Sequence, residues 1–181
     1  IIGGALVASG ELAFDGTNDY VDLPDNLLAG VEDVTVEAEV YLDPALGGDY
    51  FIYGFGNTDT STSWGNGYLF ADGAPYRAGI ATGNWSTEQN VDQGAALTRG
   101  VWHHIAFTVQ GNTATLYLDG LAVASATVNS DPDDVGNGRT SANYLGRSMY
   151  SGDGFFRGSF REFALYNRAL SATEVAAHAG N

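Results

Sequence analysis

The stretch WHHIAFTVQGNTATLYLDGLAVASATV, residues 102–128, decides the fold class. Ile105, Phe107 and Val109 alternate with polar or small neighbours, and Ala114, Leu116 and Leu118 do the same in the next segment. A period of two is the signature of a strand with one buried face. The Gly111-Asn112 pair between them suits the left-handed backbone of a tight hairpin turn. Asp119-Gly120 makes a second such turn, and Leu121 to Val128 continues the meander.

The same alternation spreads outward. Val34, Val36, Ala38, Val40 and Leu42 face one way, while Thr35, Glu37, Glu39 and Tyr41 face the other. Shorter strands are expected at 11–14, 50–55, 67–71, 76–80, 143–146 and 156–166. Long polar loops are expected at 56–66, 82–94 and 129–142. One helix is expected, at 171–178, because Ser171-Ala172-Thr173-Glu174 forms a capping box ahead of an alanine-rich turn. A further short turn is expected near Leu27. The chain therefore reads as all-β: a single domain over 1–181, a two-sheet antiparallel jelly-roll sandwich with a short C-terminal helix.

Composition narrows the function. Twenty-two acidic residues face seven basic ones, for a net charge of −15, and all seven are arginines, the first being Arg77. No basic groove for nucleic acid can be built from these, and anionic membrane surfaces would repel the chain. The absence of cysteine removes disulfides, thiolate metal sites and cysteine nucleophiles. No apolar run approaches a membrane span.

Three blocks carry a family resemblance. LAFDGTNDYVDLP (12–24), GVWHHIAFTVQGNTATLYLDGLAVA (100–124), and YLGRS (144–148) with FRGSFREFALYNRALSATEVAAH (156–178) together resemble the laminin-G-like, concanavalin A-like jelly-roll domains. The resemblance implies two curved antiparallel sheets and, often, a structural calcium ion. It also implies a bacterial, secreted or cell-surface setting, with the start at Ile1 fitting a domain excised from a longer protein. The family's closing strand usually carries Asp where this chain has Glu162. The middle, Tyr50 to Gly94, matches no family block, and specificity is expected there.

Candidate site residues follow. Trp64 and Trp85 lie in Gly-, Asn-, Ser- and Thr-rich segments, where an indole offers an apolar face to a sugar ring while its neighbours bond hydroxyls. The alternative is that each indole pins its own loop. Tyr68, Tyr76 and Arg77 are close in sequence. Arg147 stands beside a glycine-rich loop, either touching ligand or bracing that loop through an acidic partner. Asp15, Asn18 and Asp19 offer hard oxygens of the kind calcium takes, with Glu162 as a fourth ligand from the last strand, or else form a solvated turn. Trp102 is expected in the core, and at least one of His103 and His104 is expected as a packed strand residue, with no zinc spacing around either. Glu37 and Glu39 are the one carboxylate pair with glycosidase-like spacing, roughly 7 Å along a strand face. They read as ordinary outward glutamates. The expected function is a non-catalytic carbohydrate-binding module binding neutral oligo- or polysaccharide through loop aromatics. The alternative is a structural or adhesive domain packed on a neighbour.

Overall fold

The alternation in residues 102–128 is realised as three antiparallel strands, β9 (Trp102–Gln110), β10 (Thr113–Leu118) and β11 (Leu121–Thr127). The computed structural model describes residues 1–8 and 10–180. Gly111 takes a φ of 51°, and Asp119 and Gly120 take 50° and 80°, the left-handed conformations that the two tight turns require. The other strands are β1 (Leu6–Ala8), β2 (Glu11–Asp15), β3 (Val21–Asp22), β4 (Val34–Leu42), β5 (Tyr53–Asp59), β6 (Trp64–Gly73), β7 (Tyr76–Ala81), β8 (Gln89–Asp92), β12 (Ala142–Leu145) and β13 (Arg157–Tyr166). They form a seven-stranded sheet, β1-β2-β13-β4-β9-β10-β11, and a six-stranded sheet, β3-β12-β5-β6-β7-β8, with every pairing antiparallel. This is the expected two-sheet sandwich.

The core lies between the sheets. Val36, Val40, Phe107 and Leu116 of one sheet meet Tyr53, Phe55, Leu69 and Ile80 of the other, all fully or almost fully buried. Tyr76 also points inward, and its hydroxyl donates to the Tyr117 carbonyl across the sandwich at 2.7 Å. It is a core residue and contributes nothing to the surface.

Helix α1 (Ala172–Ala179) closes the chain. Its capping box forms as expected: Ser171 Oγ accepts from Glu174 N at 3.3 Å, and Glu174 Oε2 accepts from Ser171 N at 2.8 Å. Hydrogen bonding from Arg168, then from Ser171, holds the Glu174 carboxyl down at about 2. Val175 docks the helix on Ala106 and Tyr117, on the outer face of the seven-stranded sheet.

Three expected loops turn out to be partly structured. Residues 56–66 extend β5 and open β6, residues 82–94 hold a 3₁₀ turn (Trp85–Thr87) and β8, and residues 129–142 contain a 3₁₀ stretch (Pro132–Gly138). The six-stranded sheet is covered on its outer side as well, by Phe51, Met149 and Tyr150. A strand buried on both faces loses its alternation, so its ends carry no periodic signal.

Candidate functional site

Alternation turns Tyr68, Phe70 and Asp72 of β6, and Arg77 of β7, away from the sandwich core and onto the outer face of the six-stranded sheet. The loop after β12 folds across that face, where Met149 packs with Phe51, Tyr68 and Phe70. Gly54 makes this possible, since a Cβ there would lie 2.8 Å from Met149 Cε, and Gly56 keeps the two strands beneath close. A Cβ on Gly56 would lie 2.2 Å from the Gly67 carbonyl oxygen, so only glycine lets β5 and β6 approach.

A hydrogen-bond relay runs from this floor to the surface. Trp85 N–H donates to Tyr150 Oη at 2.7 Å, the Tyr150 and Tyr68 hydroxyls are 3.0 Å apart, and Tyr68 Oη donates to Glu88 Oε1 at 2.6 Å. The other Glu88 oxygen accepts from Arg77 Nη1 at 2.7 Å, and Arg77 Nε lies 3.5 Å from Asp72. Each donor has its acceptor, so the chain of bonds polarises in one direction and fixes the 3₁₀ turn that carries Trp85. Burial pushes the Tyr68 and Tyr150 hydroxyls and the Asp72 and Asp153 carboxyls up. For Arg77 burial works against the charge, but Glu88 and Asp72 outweigh it and the net shift is upward.

Above the relay stand two exposed indoles, Trp85 at 62% and Trp64 at 47%. A depression of about 250 Å³ lies beside Trp85, bounded by Asp49, Asp72, Arg77, Glu88, Tyr150 and Asp153. A second groove of about 340 Å³ lies along Trp64, Asp59, Asn66, Asn84, Ser86 and Thr87. The 84–87 turn contributes to both, so the two hollows flank one structural element. The surface combines flat apolar faces with carboxylate, amide and hydroxyl groups, and its one cation is already paired.

The structure sorts the sequence candidates. Trp64, Trp85 and Arg77 share this face, although Trp64 begins a strand rather than sitting in a loop. Tyr68 is 0% exposed, so it supports the site from below and is not a contact residue, which corrects its expected role. Arg147 is placed elsewhere on the same sheet. Its guanidinium lies 4.6 Å over the Tyr20 ring and 4.9 Å over Tyr144, and it braces aromatic rings rather than the expected acidic partner. Tyr150 and Glu88 were missed in the sequence. Neither sits in a periodic pattern, and the only signal was proximity, Glu88 to Trp85 and Tyr150 to Arg147.

The opening loop keeps Asp15, Asn18 and Asp19 together. Asp15 Oδ1 accepts from Thr17 N at 2.7 Å, and Asp19 Oδ2 accepts from Asp15 N at 3.0 Å. Asp19 Oδ1 is buried without a partner. It converges with the Asn18 carbonyl oxygen on Gly3, where a Cβ would lie 2.6 and 2.4 Å from the two oxygens. Glu162 is not brought to this loop. Asp15 faces Arg157 on β13, while Glu162 faces Glu39 on β4, five residues further along the strand and so roughly 16 Å away. Among the described residues no three His, Cys, Asp or Glu side chains form a group that holds a metal.

Two other expectations are corrected. Trp102 is not in the core: it lies on the outer face of the seven-stranded sheet, with the Arg161 guanidinium 4.0 Å over its ring. Glu37 is not an ordinary outward glutamate, because helix α1 and its neighbours bury it to 6% exposure. His103 is a packed strand residue as expected, held between Asp119 at 3.1 Å and the Thr98 carbonyl at 3.1 Å.

Comparison with known proteins places the fold. Residues 15–176 match the family model described as the concanavalin A-like lectin/glucanases superfamily. No curated protein matches the sequence. Domain 4 of AbnA, a GH43 extracellular arabinanase from Geobacillus stearothermophilus solved with arabinotriose, is similar at a TM-score of 0.74 and 20% identity, over 93% of this chain and 76% of that one. The CBM40 of a Ruminococcus gnavus IT-sialidase, solved with α2,3-sialyllactose, is similar at a TM-score of 0.74 and 18% identity, over 98% of this chain and 100% of that one. A heptameric SAP-like pentraxin from Limulus polyphemus is similar at a TM-score of 0.57 and 15% identity, over 93% and 81%. At these identities the likeness is one of fold.

Proposed function

Because the chain belongs to the concanavalin A-like lectin/glucanases superfamily, we propose that it is a non-catalytic carbohydrate-binding module that takes neutral glycan on the outer face of its six-stranded sheet. The observation that carries this reading is the pair of exposed tryptophans beside two hollows, one of them held rigid by the Trp85–Tyr150–Tyr68–Glu88 relay. Ordering the platform before the ligand arrives lowers the cost of binding. The two similar modules solved with arabinotriose and sialyllactose support sugar as the ligand class.

Charge argues for a neutral sugar. Four carboxylates, Asp49, Asp72, Glu88 and Asp153, border the Trp85 depression, and Arg77 is committed to two of them. A sialate carboxylate brought there would meet like charge and no free cation. Arg147 is no substitute, since it belongs to the β12 side of the sheet, three strand spacings or roughly 14 Å from β7. A setting within a larger secreted bacterial glycan-active protein agrees with the extracellular arabinanase that carries a similar domain.

Neutral oligosaccharide is expected to protect the two exposed indoles from acrylamide quenching. Trp102, stacked under Arg161, supplies an unresponsive background. Quenching that neutral sugars leave unchanged overturns the reading.

The same proposal includes a structural calcium at the opening loop, held by Asp19 with Asp15 and Asn18. The buried, partnerless Asp19 Oδ1 beside the Asn18 carbonyl suits a hard cation, which accepts mixed carboxylate and carbonyl oxygens. Glu162 is outside this set. Calcium at a hundredfold excess over its dissociation constant should stabilise the fold by about 2.7 kcal/mol, with magnesium doing less. Superimposable melting curves in EDTA, calcium and magnesium would remove the ion from the account.

A further inference from the structure

The outer face of the seven-stranded sheet carries a cleft of about 420 Å³ beside α1, on the far side of the molecule from Trp64 and Trp85. Its construction is unusual for a surface. The β-bulge between Phe160 and Glu162 turns both Arg161 and Glu162 outward, and Glu162 then stands directly across from Glu39. Like charges opposed on adjacent strands are destabilising. Arg161 reaches Glu39 at 3.5 Å but also binds Glu11 at 3.1 Å and stacks on Trp102, so its charge is drawn to the rim.

Glu37 lies deeper. Its Oε1 meets His178 Nδ1 at 2.6 Å and Tyr166 Oη at 3.2 Å. Its Oε2 is buried with no hydrogen-bond partner, and His104 Nε2 lies 3.8 Å from it. The ring nitrogen His104 Nδ1 is likewise buried and unpartnered. A carboxylate oxygen left this way is costly and calls for a donor. Burial lowers the affinity of His104 for its proton, against the pull of Glu37, and so favours the neutral ring.

We propose that this cleft is a second ligand site, which takes a protonated primary amine on a short carbon stem, with its N–H donors directed at Glu37, Glu39 and Glu162. Among the described residues no three His, Cys, Asp or Glu side chains form a metal-holding group, and an ammonium presents three donors at hydrogen-bond length. Ala164 and Tyr166 form the less polar wall along which the stem lies. The chain's charge of −15 draws cations toward it. Such an amine comes from a lysine side chain or from a free amino sugar.

Titration of the ¹⁵N-labelled protein with n-butylammonium, with 1-butanol as the uncharged control, tests the site. Saturable shifts of the His104 and His178 ring signals are expected with the amine and not with the alcohol. Glu37→Gln and Glu162→Gln should each weaken binding by about tenfold, the scale of one charge-assisted hydrogen bond. Glu162 is exposed, so its variant keeps the test decisive if Glu37→Gln fails to fold. Nα-acetyl-lysine N-methylamide and D-glucosamine, titrated in turn, assign the source by whichever binds more tightly. Shifts that do not saturate, an equal response to 1-butanol, or unchanged affinity in Glu162→Gln would overturn the proposal.

Discussion

Phe107→Ala should lower the stability of the domain by about 3–5 kcal/mol, the usual cost of truncating a fully buried aromatic ring. Phe107 is 0% exposed and lies at the centre of the sandwich. It pairs with Val36 on one neighbouring strand and Leu116 on the other. The cavity cannot collapse, because the residues around it are fixed by hydrogen bonds on both sides of β9. Against a total stability of roughly 5–15 kcal/mol, this is a large fraction. It corresponds to a fall in melting temperature of roughly 6–20 °C for a chain of this size. An unchanged melting temperature would mean that the inward register of β9 is wrong. Leu116→Ala, at about 2–5 kcal/mol, gives an independent check on the facing strand.

Trp85→Ala should have the largest effect on binding. An indole at the centre of a contact surface commonly contributes 2 kcal/mol or more, so affinity for neutral glycan should fall by at least about 30-fold. The indole is mostly in solvent, and it is the backbone N–H of Trp85, which alanine retains, that bonds Tyr150. The melting temperature should therefore hardly move. Binding and melting measured on one preparation separate the outcomes. A lower melting temperature with affinity intact would make Trp85 a loop anchor, and Trp64→Ala then asks whether the second groove carries the ligand instead.

How far the sequence could be read depended on how many faces each strand buries. Strands β4 and β9 bury apolar side chains chiefly on one face, and their boundaries at Val34–Leu42 and Trp102–Gln110 are those expected from alternation. Strand β6 is buried on both faces only from Gly67 onward, and at its opening the buried positions are Gly65 and Gly67, so the exposed Trp64 and Asn66 looked like loop residues although they open a ten-residue strand. Strands β1 and β3 are three and two residues long, too short for any period to register. The capping box at Ser171 was legible because it is local.

The site was legible only where its chemistry was local too. Two tryptophans among small polar residues marked the place, and the structure decides for exposed indoles over indoles that pin their own loops. The partners that fix Trp85 come from Tyr150, 65 residues away, and through it from Tyr68 and Glu88, and no pattern in the chain links them. The burial of Glu37 was hidden for the same reason: its cover arrives from His178, 141 residues later. Glu162 was joined to the opening loop on the expectation that first and last strands lie side by side. The last strand pairs with β2, which leads into that loop, but the register carries Glu162 well past it.

A glycan array probed with the intact domain, carrying neutral and sialylated oligosaccharides of matched length, tests the central claim most directly. The account predicts retention by neutral chains and none by their sialylated counterparts. Retention confined to sialylated glycans, or by no neutral glycan at all, would contradict it.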